Sequence, residues 1–190
     1  MTDQFPILKK YIYLNTANHG LVSQDLIDYR RSLNEKMRDE ASIFTNKRND
    51  FIDEVRHSIA NFMDADPDFT AVIPNFSTGF NTLINGMDPK AIVLLLKGDY
   101  PSVNWPVETR GFQTHYVAID EQMEEHIISV CEKQRPDFFC FSMVQYISGI
   151  QMDLDFLNDL KKRFPDMIMI ADATQYVGSE EFCFRESGID

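Results

Sequence analysis

The spacing of apolar residues along this chain alternates between a helical period and short apolar runs. Apolar side chains recur three or four residues apart over residues 26–37 and again over residues 51–63, which predicts two amphipathic helices. Ser23 stands before the first of them and is suited to cap it, and Pro67 follows the end of the second. Residues 11–15 predict a short β-like segment ahead of both helices.

From residue 69 onward, apolar runs typical of strands alternate with helical patterns. Strands are predicted at residues 69–74, 91–96, 114–119, 137–142 and in a run that ends at Asp172. Helices are predicted to begin near Ser77 and soon after Pro101, and to span residues 121–133 and 153–164. This alternation is typical of parallel βαβ units, so we expect an α/β fold, a three-layer αβα domain with a mainly parallel sheet.

Composition excludes several classes of partner. The 190 residues carry a formal net charge of −12, with 44% hydrophobic and 25% charged residues, as in an ordinary globular protein. Since no basic cluster offsets repulsion from phosphates, we expect neither a nucleic-acid partner nor a membrane surface. The first residues lack the pattern of a signal peptide, and no apolar run approaches membrane-spanning length, so we expect a cytoplasmic protein.

The three cysteines predict no metal or disulfide chemistry. Cys131, Cys140 and Cys183 are widely spaced and lie in apolar surroundings. Their spacing fits neither a zinc site nor a disulfide framework, so we interpret them as free, buried thiols.

Polar residues follow two of the predicted strands. The carboxyl ends of the strands in an open α/β sheet meet at one edge, where ligands bind. Ser77 and Thr78 lie at a strand-to-helix turn, where free N–H groups and the positive end of the helix dipole suit a phosphate. Capping of the helix by the same two side chains is the alternative. Asp172 and Gln175 follow the last apolar run, and capping of the next turn by Asp172 and a plain surface position for Gln175 are the alternatives.

The segment 170–175 resembles the aspartate motif of the class V aminotransferases and cysteine desulfurases, a branch of the fold-type I pyridoxal-phosphate enzymes. The resemblance extends over essentially the whole chain, with further blocks at residues 75–79, 98–102 and 144–149. It implies pyridoxal phosphate as cofactor, with Ser77 and Thr78 at its phosphate. It also implies that Asp172 accepts a hydrogen bond from the pyridine nitrogen and that Gln175 reaches the phenolic oxygen. A carboxylate at that nitrogen keeps the ring protonated and makes it an electron sink.

Four more residues acquire roles from the same resemblance. It places Tyr100 on the face of the pyridine ring, Tyr146 near the cofactor, and Asn18 and His19 in a turn on the substrate side. A loop tyrosine packed on the core and a solvated histidine are the plain structural readings of Tyr100 and His19. Desulfurases have a histidine where this chain has Tyr100 and an asparagine where it has Tyr146. Tyr146 with the Gly149 that follows it resembles the isopenicillin-epimerase-like and kynureninase-like branches more closely, and Tyr100 in place of the histidine weakens the sulfur-transfer interpretation.

Relatives carry their Schiff-base lysine shortly after the aspartate motif, whereas the last lysine here is Lys162. We therefore expect a truncated chain without turnover of its own: residues 1–22 as an N-terminal segment and residues 23–190 as an incomplete cofactor-binding large domain. The parent would be a transferase or lyase acting on a small amino acid, and we expect a homodimer or higher oligomer because strand edges would be left open.

Two alternatives remain, a cysteine desulfurase-type enzyme and a non-catalytic fragment or assembly module. A Rossmann dehydrogenase is disfavoured because no Gly-x-Gly-x-x-Gly follows the first strand.

Overall fold

The computed structural model describes residues 3–190. The chain divides into two compact units, Met1–Val55 and Arg56–Asp190. The domain boundary expected between residues 22 and 23 stays a prediction.

The first unit is helical. It contains α1 (Gln24–Glu40), α2 (Ser42–Asn46) and the start of α3 (Arg48–Phe62). The hydroxyl oxygen of Ser23 accepts a hydrogen bond from the N–H of Leu26 at 3.1 Å, so the predicted cap of α1 is confirmed.

The predicted β-like segment at residues 11–15 is wrong, because these residues form no strand. The hydroxyl of Tyr13 instead donates a hydrogen bond to the backbone oxygen of His19 at 2.7 Å. Residues 13–19 are therefore held by a local hydrogen bond and not by pairing with a strand.

The second unit contains a four-stranded parallel sheet with strand order β2-β1-β3-β4. Its strands are β1 (Ile92–Leu96), β2 (Gln113–Val117), β3 (Phe138–Ser142) and β4 (Ile168–Asp172). Its complete helices are α4 (Phe76–Asn85), α5 (Pro101–Arg110), α6 (Met123–Gln134) and α7 (Leu154–Arg163). Within residues 3–190, no helix combines the length and apolar character needed to cross a membrane.

Two apolar clusters lie on opposite sides of this sheet. One packs α4 and α5 against the sheet through Phe80, Ile84, Val103, Val107, Val93, Leu95 and Cys140. The other packs α6 and α7 against the sheet through Ile127, Cys131, Leu157, Leu160, Leu94, Phe139, Phe141 and Met169. Neighbouring strand residues alternate between the clusters because successive side chains of a strand point to opposite faces. The predicted three-layer αβα architecture is thereby confirmed.

The strand predicted at residues 69–74 is wrong. A short 3-10 helix, Pro67–Phe69, occupies the start of this segment, and the residues after it pair with no strand. Asp66 stabilises the turn, since its side chain accepts from the N–H of Asp68 at 2.9 Å and its carbonyl accepts from the Thr70 hydroxyl at 2.8 Å. Local turn chemistry therefore outweighs β propensity where no neighbouring strand supplies a hydrogen-bond ladder.

The last residues of the chain cover part of the outer edge of β4. The N–H of Asp190 donates to the carbonyl of Met169 at 3.1 Å, and the N–H of Met169 donates to Oδ2 of Asp190 at 2.9 Å. The ammonium of Lys161 pairs with the same carboxylate at 2.8 Å. These bonds anchor the strand that carries Asp172.

Candidate functional site

The N-termini of α4 and α5 meet beside the carboxyl edge of the sheet. Asn75 caps α4, because its Oδ1 accepts from the N–H of Thr78 at 2.9 Å and from the Thr78 hydroxyl at 3.0 Å. The capping alternative for Ser77 and Thr78 is therefore wrong. The hydroxyl of Ser77 instead lies 3.0 Å from that of Ser102, in the first turn of α5. Two helix starts and a hydroxyl pair can together hold an anionic group.

Asp172 ends β4 with one carboxylate oxygen engaged and the other available. The residue is 8% exposed. Its Oδ1 accepts from the N–H of Thr174 at 3.0 Å and from the Thr174 hydroxyl at 2.5 Å. Its Oδ2 accepts no hydrogen bond from any residue in the described range 3–190. Oδ2 is therefore available to accept a hydrogen bond from a protonated nitrogen of a ligand.

Ser142 lies directly beside Asp172 on the neighbouring strand. The two residues are register partners in the β3–β4 pairing. Cys140 and Ile170 pack on the α4 and α5 side of the sheet. Ser142 and Asp172 come two residues later on the same strands, so their side chains lie on that side as well. The free carboxylate oxygen and the two helix starts thus share one side of one sheet edge.

Asp99 connects the loop after β1 to the end of β3, and the sequence analysis missed it. It is 4% exposed. Its Oδ1 accepts from the N–H of Tyr100 at 2.6 Å, and its Oδ2 accepts from the N–H of Ser142 at 2.8 Å. Its position three residues after the end of a buried apolar strand was the available signal. Asp99 therefore fixes the loop that carries Tyr100 to the strand beside Asp172.

Two buried polar atoms at this edge have no hydrogen-bond partner in the described part of the chain. They are the hydroxyl oxygen of Ser142 and Oδ1 of Asn104, whose amide donates to the carbonyl of Leu96 at 2.9 Å. Buried polar atoms are nearly always satisfied in folded proteins. Atoms left open at a strand-end edge therefore point to a polar ligand or to a rearranged hydrogen bond.

The structure brings Tyr100 and Tyr146 together. Their ring centroids are 5.2 Å apart at an interplanar angle of 75°, an edge-to-face contact. Both rings are about half exposed. Two aromatic side chains from separate loops thus meet at the mouth of this edge, where they can contact a planar ring.

For the three other predicted site residues the structure gives local contacts. Gln175 is exposed in the turn after β4, and its backbone oxygen accepts from the Ser179 hydroxyl at 3.0 Å. Asn18 and His19 belong to the first unit, where both N–H groups donate to the carbonyl of Asn15 at 3.2 Å. The ligand contacts expected of these three side chains stay predictions.

Comparison with known proteins gives a family match and a fold match. The sequence model described as Aminotransferase class-V matches residues 16–190. Comparison with curated protein sequences gives no match.

Several solved structures share this fold. A cysteine desulfurase from Escherichia coli matches with a TM-score of 0.80 at 13% identity, over 98% of this chain and 51% of that chain. Histidinol-phosphate aminotransferase from Sinorhizobium meliloti, solved with pyridoxal-5'-phosphate, matches with a TM-score of 0.58 at 13% identity, over 70% of this chain and 38% of that one. Ureidoglycine-glyoxylate aminotransferase from Bacillus subtilis matches with a TM-score of 0.52 at 19% identity, over 60% of this chain and 30% of that chain. This chain spans about half of the length of the desulfurase.

Proposed function

Since this chain belongs to the class V aminotransferase family, we propose that its strand-end site binds pyridoxal phosphate. We propose further that the whole protein is a pyridoxal-phosphate-dependent transferase or lyase acting on a small amino acid. The main supporting observation is that the free oxygen of Asp172 lies on the same side of the sheet edge as the starts of α4 and α5. A carboxylate suits a cationic ring nitrogen, and helix starts suit a phosphate.

The residues of this site fit the cofactor in distinct ways. Ser77, with Ser102 beside it, would hold the phosphate, and Thr78 at the start of α4 would join them by exchanging its hydrogen bonds to Asn75 for bonds to the phosphate. Oδ2 of Asp172 would accept a hydrogen bond from the protonated ring nitrogen, while Thr174 holds Oδ1 in place. When bound, pyridoxal phosphate supplies an electron sink for a carbanion at the substrate.

The remaining contacts are aromatic or lie further along the loops. Tyr100 would pack on the face of the ring, with Tyr146 supporting it edge-on. Gln175 would contact the phenolic oxygen, and Asn18 and His19 would lie towards the substrate. No lysine follows Asp172 in residues 1–190. We therefore expect this chain by itself to bind the cofactor non-covalently and to show no turnover.

Binding of pyridoxamine phosphate tests the proposal, because this amine form cannot react with surface lysines. We expect saturable binding by calorimetry, accompanied by a change in the fluorescence of Trp105, the single tryptophan, which lies in α5. Asp172→Asn keeps an acceptor for Thr174 but removes the charge facing the ring nitrogen. We expect it to weaken binding at least tenfold, in line with the roughly 1.5–3 kcal/mol of a hydrogen bond to a charged group.

Asp159→Ala is the matched control, because it removes an exposed carboxylate from α7 on the opposite side of the sheet. It should bind pyridoxamine phosphate as the parent chain does. Absence of binding to the parent chain, or equal binding by Asp172→Asn, would contradict the proposed site.

A further inference from the structure

The buried hydroxyl of Ser142 has no role in the site described so far. Ser142 is 4% exposed, and its Oγ has no hydrogen-bond partner within residues 3–190. A hydroxyl removed from water and left unpaired destabilises the folded state. An unpaired hydroxyl next to a functional carboxylate therefore requires an explanation.

The backbone around Ser142 is held on both sides. Its N–H donates to Oδ2 of Asp99 at 2.8 Å, and its carbonyl accepts from Nε2 of Gln145 at 3.2 Å. The N–H of Met143 donates to the carbonyl of Asp172 at 2.9 Å, which locks the ends of β3 and β4 together. Because the backbone is fixed, the hydroxyl can gain a partner only by rotating about the Cα–Cβ bond.

The acceptor beside Ser142 on the neighbouring strand is Asp172. Ser142 and Asp172 are register partners on the same side of the sheet, and adjacent strands lie about 4.8 Å apart. Oδ1 of Asp172 already accepts two hydrogen bonds from Thr174, whereas Oδ2 accepts none from the described residues. The serine hydroxyl has one O–H to donate, and a carboxylate oxygen has two lone pairs. Oδ2 can therefore accept from Ser142 and keep its second lone pair for a ligand.

We propose that Ser142 is a positioning residue: its hydroxyl donates to Oδ2 of Asp172 and holds this oxygen towards the ligand. Thr174 fixes one oxygen of the carboxylate and Ser142 fixes the other, so the plane of the carboxylate is set from both sides. Asp99 acts one step further away, because it fixes the backbone of Ser142. This inference rests on the proposed function only for the identity of the ligand.

The first test needs no ligand. Urea unfolding of the parent chain, Ser142→Ala, Asp172→Ala and the double variant forms a double-mutant cycle for the two side chains. We expect the two substitutions to be non-additive, because each removes one partner of the same hydrogen bond. Additive effects would overturn the inference whether or not the chain binds a cofactor.

The second test measures positioning. Ser142→Ala should weaken binding of pyridoxamine phosphate by about five- to tenfold, the loss expected for one hydrogen bond, and Ser142→Thr should restore it. Ser129→Ala, in α6 on the other side of the sheet, is the control and should leave binding unchanged. Unchanged affinity in Ser142→Ala would overturn the positioning role. Absence of binding to the parent chain would instead contradict the proposed function, and the unfolding cycle would still decide the hydrogen bond.

Discussion

Cys140 shows what burial does to a single titratable side chain. Its thiol lies in the core between the sheet and the helices α4 and α5, and burial raises its pKa from 9.0 to about 12. In the unfolded chain the thiol ionises near its ordinary pKa, so the folded state alone keeps the proton above that pH. The contribution of the protonated Cys140 thiol to the free energy of unfolding is complete below about pH 9 and is lost as the pH rises towards 12. We predict that the difference in unfolding free energy between the parent chain and Cys140→Ala shrinks between about pH 8 and pH 10.5 in urea titrations. Lysines and tyrosines titrate equally in both proteins, so parallel pH profiles would contradict this prediction.

At the scale of elements, helix starts in this protein depend on single polar side chains. Asp153 caps α7, since its Oδ1 accepts from the N–H groups of Asp155 at 2.7 Å and Phe156 at 3.2 Å. Asp153→Ala should lower the free energy of unfolding by about 1 kcal/mol, measured by urea denaturation, whereas Asp153→Asn keeps the acceptor and should lose much less. Because α7 packs on the side of the sheet away from Asp172, binding of pyridoxamine phosphate should not change. Equal losses of unfolding free energy in the two variants would show that the capping hydrogen bonds do not account for the loss.

Some elements of this protein can be predicted from local sequence and others cannot. The apolar run of β1 and the cap of α1 were readable locally, because burial and capping leave direct signals in neighbouring residues. The false strand at residues 69–74 has a similar apolar content, but a strand is stable only beside a partner, and the turn at Asp66 and Pro67 decides the local conformation. Partner strands are a tertiary property that no local pattern contains.

At the scale of the whole molecule, two features favour self-association. β2 is an edge strand, with no strand paired on its outer side within residues 3–190, and Phe69 is 91% exposed. We predict a homodimer or higher oligomer by light scattering. Phe69→Ser should shift the distribution towards monomer without lowering the unfolding temperature, since this ring buries almost no surface within the chain. A monodisperse monomer in the parent chain would contradict the prediction.

The amino-acid order alone determined the alternation of strands and helices, and from it the layered α/β class, because the period of apolar residues follows the geometry of each element. It also placed Ser77, Thr78, Tyr100, Tyr146 and Asp172 at ends of elements. Only the tertiary structure decided that Asp99 joins Tyr100 to Ser142, and that Ser142 stands beside Asp172 with an open hydroxyl. Those relations join residues more than 25 positions apart through strand register, and register depends on how whole strands pair. A buried hydroxyl can be recognised as unpaired only when all its neighbours are known.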